Sequence, residues 1–171
     1  MKKRTNFIEV LRVLIKHEVR FIVVGGLSGV LHGAPITTFD LDILHERTEQ
    51  NVNKLLDALS ELDAYYRMKK ELRIRPDYDG LIGKGHHLLI TQAGPLDVLG
   101  ILGNLKSSWD YDVVVEDVEV FEVGELKVFV QSLENLIEVK EFIGRQKDLV
   151  TLPVLRSALK MKLALKDKSE E

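Results

Sequence analysis

An apolar strand that must turn out through two adjacent glycines, with an acid pair close behind, constrains this chain more than any other feature. Phe21-Ile-Val-Val24 is aromatic and β-branched, suiting a short buried strand, and it runs into Gly25-Gly26 and then Ser28. Residues 21–39 carry no Asp, Glu, Lys or Arg, after which Asp40 and Asp42 stand two apart. From Phe39 to Leu44 the chain alternates, with Phe39, Leu41 and Ile43 on one side and Asp40, Asp42 and Leu44 on the other. That period predicts a second strand with both aspartates on one face.

The remaining pattern predicts one domain over residues 1–171, built from helices and short strands. Residues 5–18 read as an amphipathic lead-in helix, and Leu27 to Gly33 as a second short one ended by Pro35. Thr48 should cap a third helix running to about residue 62. Residues 63–85 are rich in both charge signs and turn residues and show no clear period. Strands are expected at His87–Thr91, Leu96–Leu99, Val113–Val115, Val118–Val123 and Lys127–Val130. Ser132 opens a helix that Gly144 should close, and the last helix is expected to begin near Pro153, the C-terminal helices of 132–166 packing on the domain.

Composition narrows the classes. Of 171 residues 45% are hydrophobic and 30% charged, as in soluble globular chains, and the formal charge of −3 provides no overall basic field for nucleic acid. With no cysteine, disulfides and thiolate chemistry are excluded. The opening Met-Lys-Lys-Arg resembles a signal n-region, but Glu9, Arg12, Lys16 and Glu18 leave no apolar segment after it. Glycines and Pro35 argue against a membrane span in the uncharged stretch, so the expectation is a cytoplasmic protein without membrane contact.

Three groups of residues can carry chemistry. Carboxylates two apart on a strand can hold one or two divalent ions for in-line phosphoryl displacement, although an isolated Asp-x-Asp is as readily an acidic solvent face. A glycine turn at a helix start leaves backbone N–H groups available for phosphate, with Ser28 as an added hydroxyl, although the same residues make a tight strand-to-helix turn. Asp97, set between Leu96 and Val98, is costly in an apolar strand unless paired or metal-bound, and could also accept a proton from an attacking hydroxyl. Lys140, Arg145 and Lys147, beside Asp148, form a basic cluster that can offset a helix C-terminus or neutralise a pyrophosphate. His32 is expected to pack; His45 and the pair His86-His87 complete no metal motif.

Taken together, Gly25-Gly26, Asp40-x-Asp42, the later lone acid Asp97 and the closing Lys140-Glu141…Gly144-Arg145-x-Lys147-Asp148 resemble the nucleotidyltransferase superfamily with the DNA polymerase β-like fold. Within it, they resemble small nucleotidyltransferases related to toxin–antitoxin and aminoglycoside enzymes. The resemblance implies an α+β fold, a mixed β-sheet with flanking helices, and transfer of a nucleoside monophosphate from an NTP to an acceptor hydroxyl, with Mg²⁺ or Mn²⁺ on Asp40, Asp42 and Asp97. Gly25, Gly26 and Ser28 would then hold phosphate with Lys140, Arg145 and Lys147, and Asp97 would serve as base. Leu27 between Gly26 and Ser28 departs from the Gly-Ser form. The acceptor is open between a small molecule, an RNA end and a protein, as is a protein partner or homodimer. The rival reading is an antitoxin-type module that keeps the fold and binds a nucleotide or partner without catalysis.

Overall fold

The computed structural model describes residues 5–170; the opening Met-Lys-Lys-Arg lies outside them. Seven strands form one mixed sheet in the order β3-β4-β5-β2-β1-β7-β6. They are β1 Phe21–Val24, β2 Leu41–His45, β3 Tyr65–Tyr66, β4 His86–Thr91, β5 Gly94–Leu99, β6 Val118–Val123 and β7 Leu126–Gln131. β1 runs antiparallel to β2 and parallel to β7, and β2 runs parallel to β5. The helices are α1 Phe7–Lys16, α2 Gly25–Leu31, α3 Glu49–Glu61, α4 Tyr78–Ile82, α5 Tyr111–Val114, α6 Leu133–Ile143 and α7 Gln146–Ser169.

The larger core lies on one face of the sheet. Val10, Leu11 and Leu14 of α1 and Val52, Leu55 and Leu59 of α3 pack on Leu41, Ile43, Leu89, Leu96 and Val98. Each fully buried Leu or Ile contributes about 1.5–3 kcal/mol, so this face carries much of the stability. On the other face Ile22, Val24 and Leu44 meet Tyr111, Val114 and Val139, while α6 and α7 enclose a third cluster around Leu136 and Leu155. Asn6, Thr48, Asp77, Asp110 and Ser132 cap their helices by accepting a backbone N–H two or three positions into the first turn.

Several expectations change. Val113 and Val114 belong to helix α5, and Val115 to a 3₁₀ turn after it, instead of a strand, because Asp110 caps the helix and Tyr111 and Val114 point inward with helical spacing. The last helix starts at Gln146, and Pro153 lies inside it, where it removes one backbone hydrogen bond at the exposed stretch near Leu149 and Val150. Strand β2 begins at Leu41, leaving Asp40 just ahead of it, and α2 begins at Gly25 itself. Gly144 ends α6 as expected, in the left-handed conformation at φ 63°.

The segment 63–85, silent in periodicity, is built from long-range contacts. Short β3 pairs with β4, and α4 packs beneath the sheet through buried Leu81. The last carbonyls of α4, which a helix cannot satisfy itself, each meet a side chain from elsewhere. Gly80 O faces His87 Nε2 at 3.1 Å, Leu81 O faces His45 Nε2 at 2.7 Å, and Ile82 O accepts from Arg47 Nη1 at 3.3 Å. Burial pushes the pKa of both histidines down; a neutral His87 gives Nε2–H to Gly80 O and accepts from the Tyr66 hydroxyl at Nδ1, whereas both ring nitrogens of His45 face carbonyls, Leu81 O and Leu99 O. They are structural groups, not metal ligands. His32 packs as expected, edge-on to Phe121 and bonded to Gln131 O.

Candidate active site

The second strand brings its acid beside that of a strand more than fifty residues later. Asp42 of β2 and Asp97 of β5 are direct partners across the parallel ladder, so both side chains leave the same face side by side. The row continues outward to Leu88 of β4 and inward to Val24, the last residue of β1. Gly25 follows at φ 67°, and a Cβ there would overlap the Asp42 carboxylate. The glycine is therefore required twice, by its left-handed backbone and by the acid pressed against it. Gly26 lies as close to Thr38, where an added Cβ would stand 2.8 Å from the hydroxyl.

Asp40 joins through a residue that carried no signal in the sequence. Arg67, immediately after β3, lies between two of the acids: Nη1 is 3.4 Å from Asp40 Oδ2, and Nη2 pairs with Asp97. Its own backbone N–H bonds Leu88 O at 3.0 Å, extending the same row. Charge crowding shows in the titration of the acids. Burial first, and then the neighbouring Asp97 and Asp40, raise Asp42 to about 7, with Arg67 opposing them. Asp97 is raised too, chiefly by burial, with Arg67 acting against it, so the two carboxyls titrate as a pair.

The turn residues are more committed than their types suggest. Gly25 N–H donates to Gln131 Oε1 at 3.1 Å, and the Ser28 hydroxyl, fully buried, donates to Gly25 O at 2.6 Å. Gln131 in turn donates to Asn135 Oδ1. Ser28 thus braces the turn from below. Gln131, missed by sequence reading, is the residue that ties β7 and α6 to it. Its only signal was a polar side chain closing an apolar strand.

The basic cluster is partly internal. Asp148 is 1% exposed and accepts from Arg145 Nε at 2.7 Å and Lys140 Nζ at 3.2 Å. Burial pushes this carboxyl up, but the hydrogen bonds from Arg145 and Lys140 outweigh it and hold it below the usual carboxylate range. Lys147 and much of Arg145 remain exposed. Asp148→Ala should cost about 3 kcal/mol in denaturant unfolding at neutral pH, because Lys140 would be left unpaired at a partly buried position. As the folded pKa is depressed, that contribution is present above the unfolded carboxyl value and should vanish as the pH falls below about 4.

Three carboxylates with hard oxygen donors suit Mg²⁺ or Mn²⁺ in chemistry, and Asp97 and Asp40 add to burial in raising Asp42. Among the described residues, however, no three acidic or histidine side chains stand ready as a cation cage, and Arg67 lies between Asp40 and Asp97. By donor type the three carboxylates match a divalent ion; by position two of them are taken by that guanidinium. A concavity of about 590 Å³ lies at the opposite end of β1, among Val19, Phe21, Tyr111 and Lys127, and holds no comparable group of acids. No helix among the described residues is long and apolar enough to cross a membrane.

No family model matches the sequence, and no curated protein matches it either. Among solved structures, a Thermotoga maritima protein assigned as a nucleotidyltransferase superposes with a TM-score of 0.54 at 20% identity, covering 90% of this chain and 89% of that one. The antibiotic-resistance factor ANT(2'')-Ia superposes with a TM-score of 0.46 at 13% identity, covering 95% and 93%. The sheet order, the strand-to-glycine turn and the near-complete overlap with the Thermotoga protein together identify the architecture of this chain as a nucleotidyltransferase-like fold.

Proposed function

We propose that the protein is a metal-dependent nucleotidyltransferase that moves a nucleoside monophosphate from an NTP to an acceptor hydroxyl. One observation carries the reading: Asp42 and Asp97 are in-register partners on adjacent parallel strands, against a glycine turn whose backbone touches the acid. A half-buried acid pair costs stability, and a site that binds a cation offsets that cost.

In this reading Asp40, Asp42 and Asp97 hold Mg²⁺ or Mn²⁺, which supplies charge neutralisation at the α-phosphate and leaving group. Asp97 accepts the acceptor's hydroxyl proton. The freed oxygen forms its bond to the α-phosphorus as the bond to the β-phosphate bridging oxygen breaks, and pyrophosphate leaves with that electron pair. The triphosphate lies against Gly25-Gly26, with Ser28 and Gln131 keeping the turn rigid from beneath. Lys147 and the exposed side of Arg145 are the cations of the C-terminal cluster open to phosphate, while Lys140 positions Arg145 through Asp148. The open face beyond Leu88, which is 48% exposed beside Asp97, is the surface from which an acceptor would approach.

Thermal unfolding with each NTP, with and without Mn²⁺, tests this. A ligand at a hundred times its Kd adds about 2.7 kcal/mol, which for a chain of this size raises the midpoint by roughly 5–10 °C. A rise that needs both nucleotide and metal is expected. No rise with any NTP at millimolar concentration would overturn the proposal.

A further inference from the structure

We propose that Arg67 is the resident counter-ion of the acid site, a built-in cation that a divalent metal must displace before it can settle among Asp40, Asp42 and Asp97. The inference rests on the nucleotidyl-transfer reading and adds a competition to it. The guanidinium spans the two acids that flank Asp42 in the site, pairing with Asp97 and lying 3.4 Å from Asp40. A guanidinium and a metal ion of like sign cannot share those oxygens without strong repulsion, so one excludes the other.

The segment that carries Arg67 is built to let go. Behind it, β3 is only two residues long. Ahead of it, Met68 is 80% and Leu72 64% exposed, so Met68 and Leu72 are not held by a core. Lys69 and Arg73 adopt left-handed backbone at φ 54° and 48°, uncommon for side chains of this size. Beyond the backbone bond of Arg67 to Leu88 O, anchorage resumes at residues 73–75, where Ile74 O accepts from Tyr66 N–H at 2.8 Å and Arg73 and Arg75 grip Asp63 at 2.6 and 2.5 Å. The ion pairs of Arg67 are thus the main side-chain attachment of residues 67–72 to the site. Releasing them gives up few apolar contacts, and the freed guanidinium is suited to bidentate pairing with a phosphate that arrives with the metal. A metal ion alone must break the pairs without that return, so bare metal should bind weakly.

Mn²⁺ titration by electron paramagnetic resonance, without nucleotide and at pH 8, tests the competition; that pH keeps protons from competing with the metal. Arg67→Met, close in shape and without charge, should bind Mn²⁺ at least about tenfold more tightly than the wild type, the scale of a screened charge interaction. Arg67→Gln should do the same, and Arg67→Lys should stay near the wild-type affinity. Equal or weaker binding by folded Arg67→Met and Arg67→Gln would overturn the proposal while leaving nucleotidyl transfer standing. So would an Arg67→Lys variant that tightened as much as Arg67→Met, since charge would not then be the cause. If no form bound Mn²⁺ with or without NTP, the transfer reading itself would fall, and this inference with it.

Discussion

Replacing Asp42 with asparagine should abolish nucleotidyl transfer and, in the same protein, make the metal-free fold more stable. The two effects have one cause. Asp42 sits among like charges in a largely buried row, and its carboxyl is raised to about 7. For an acid with a raised folded pKa, the native state keeps a proton that the unfolded chain has already released. Stability is therefore lost as the pH climbs from about 4 to about 7, and the penalty is complete above that. Asparagine is neutral at every pH and can donate toward Asp97 much as the protonated acid does. We expect a gain of about 2 kcal/mol at pH 8 in chelator, visible as a rise of roughly 4–8 °C in Tm, shrinking as the pH falls toward 4. Transfer, assayed as pyrophosphate release, should drop by roughly three orders of magnitude or more, because the proposed function makes Asp42 the central metal ligand. A variant that is stabilised yet still transfers would show that Asp42 is only a buried acid.

Gly25→Val should damage both fold and site, and Gly33→Val provides the control that separates the causes. Both glycines have positive φ, at 67° and 89°, so either substitution incurs backbone strain of about 1–2 kcal/mol. Around Gly33 nothing lies within 4 Å of a new Cβ, and the cost should end there. At Gly25 the new carbon would meet the Asp42 carboxylate, adding about 1–3 kcal/mol of overpacking and pushing the acid out of register with Asp97. Misplacement of about 1 Å is enough to cost a hundredfold in rate, so activity should fall at least that far even in the fraction that remains folded. Urea unfolding and pyrophosphate release, measured on both variants, check the contrast. Equal losses in the two would mean that the turn, and not its contact with Asp42, is what matters.

Much of the architecture was legible because it depends on neighbours in sequence. The β1 strand, the glycine turn, the caps at Thr48 and Ser132 and the Gly144 terminus each follow from a few adjacent residues, and the structure has all of them. Pro153 misled because its preference for a first turn is weaker than the packing of Leu152 and Leu155, which continues the helix through it. The valines at 113–115 misled for a similar reason: β propensity yielded to a cap and two inward side chains.

The turn at Gly25 and the place of Asp42 on its strand were therefore determined by the sequence itself, since a positive φ admits few residues besides glycine and strand side chains alternate; Asp40, just ahead of β2, escaped that period. Tertiary structure alone decided what those groups touch. The pairing of β2 with β5 set Asp97 beside Asp42 across fifty-five positions, a distance over which no local period can speak. Folding of the unpatterned segment 63–85 delivered Arg67 to Asp40 and Asp97, and burial turned the Ser28 hydroxyl inward to Gly25. It also spent Lys140 and part of Arg145 on Asp148. Charge and hydrogen-bonding capacity are written in residue types; which partner uses them up depends on which strands and loops come to lie within a few ångströms.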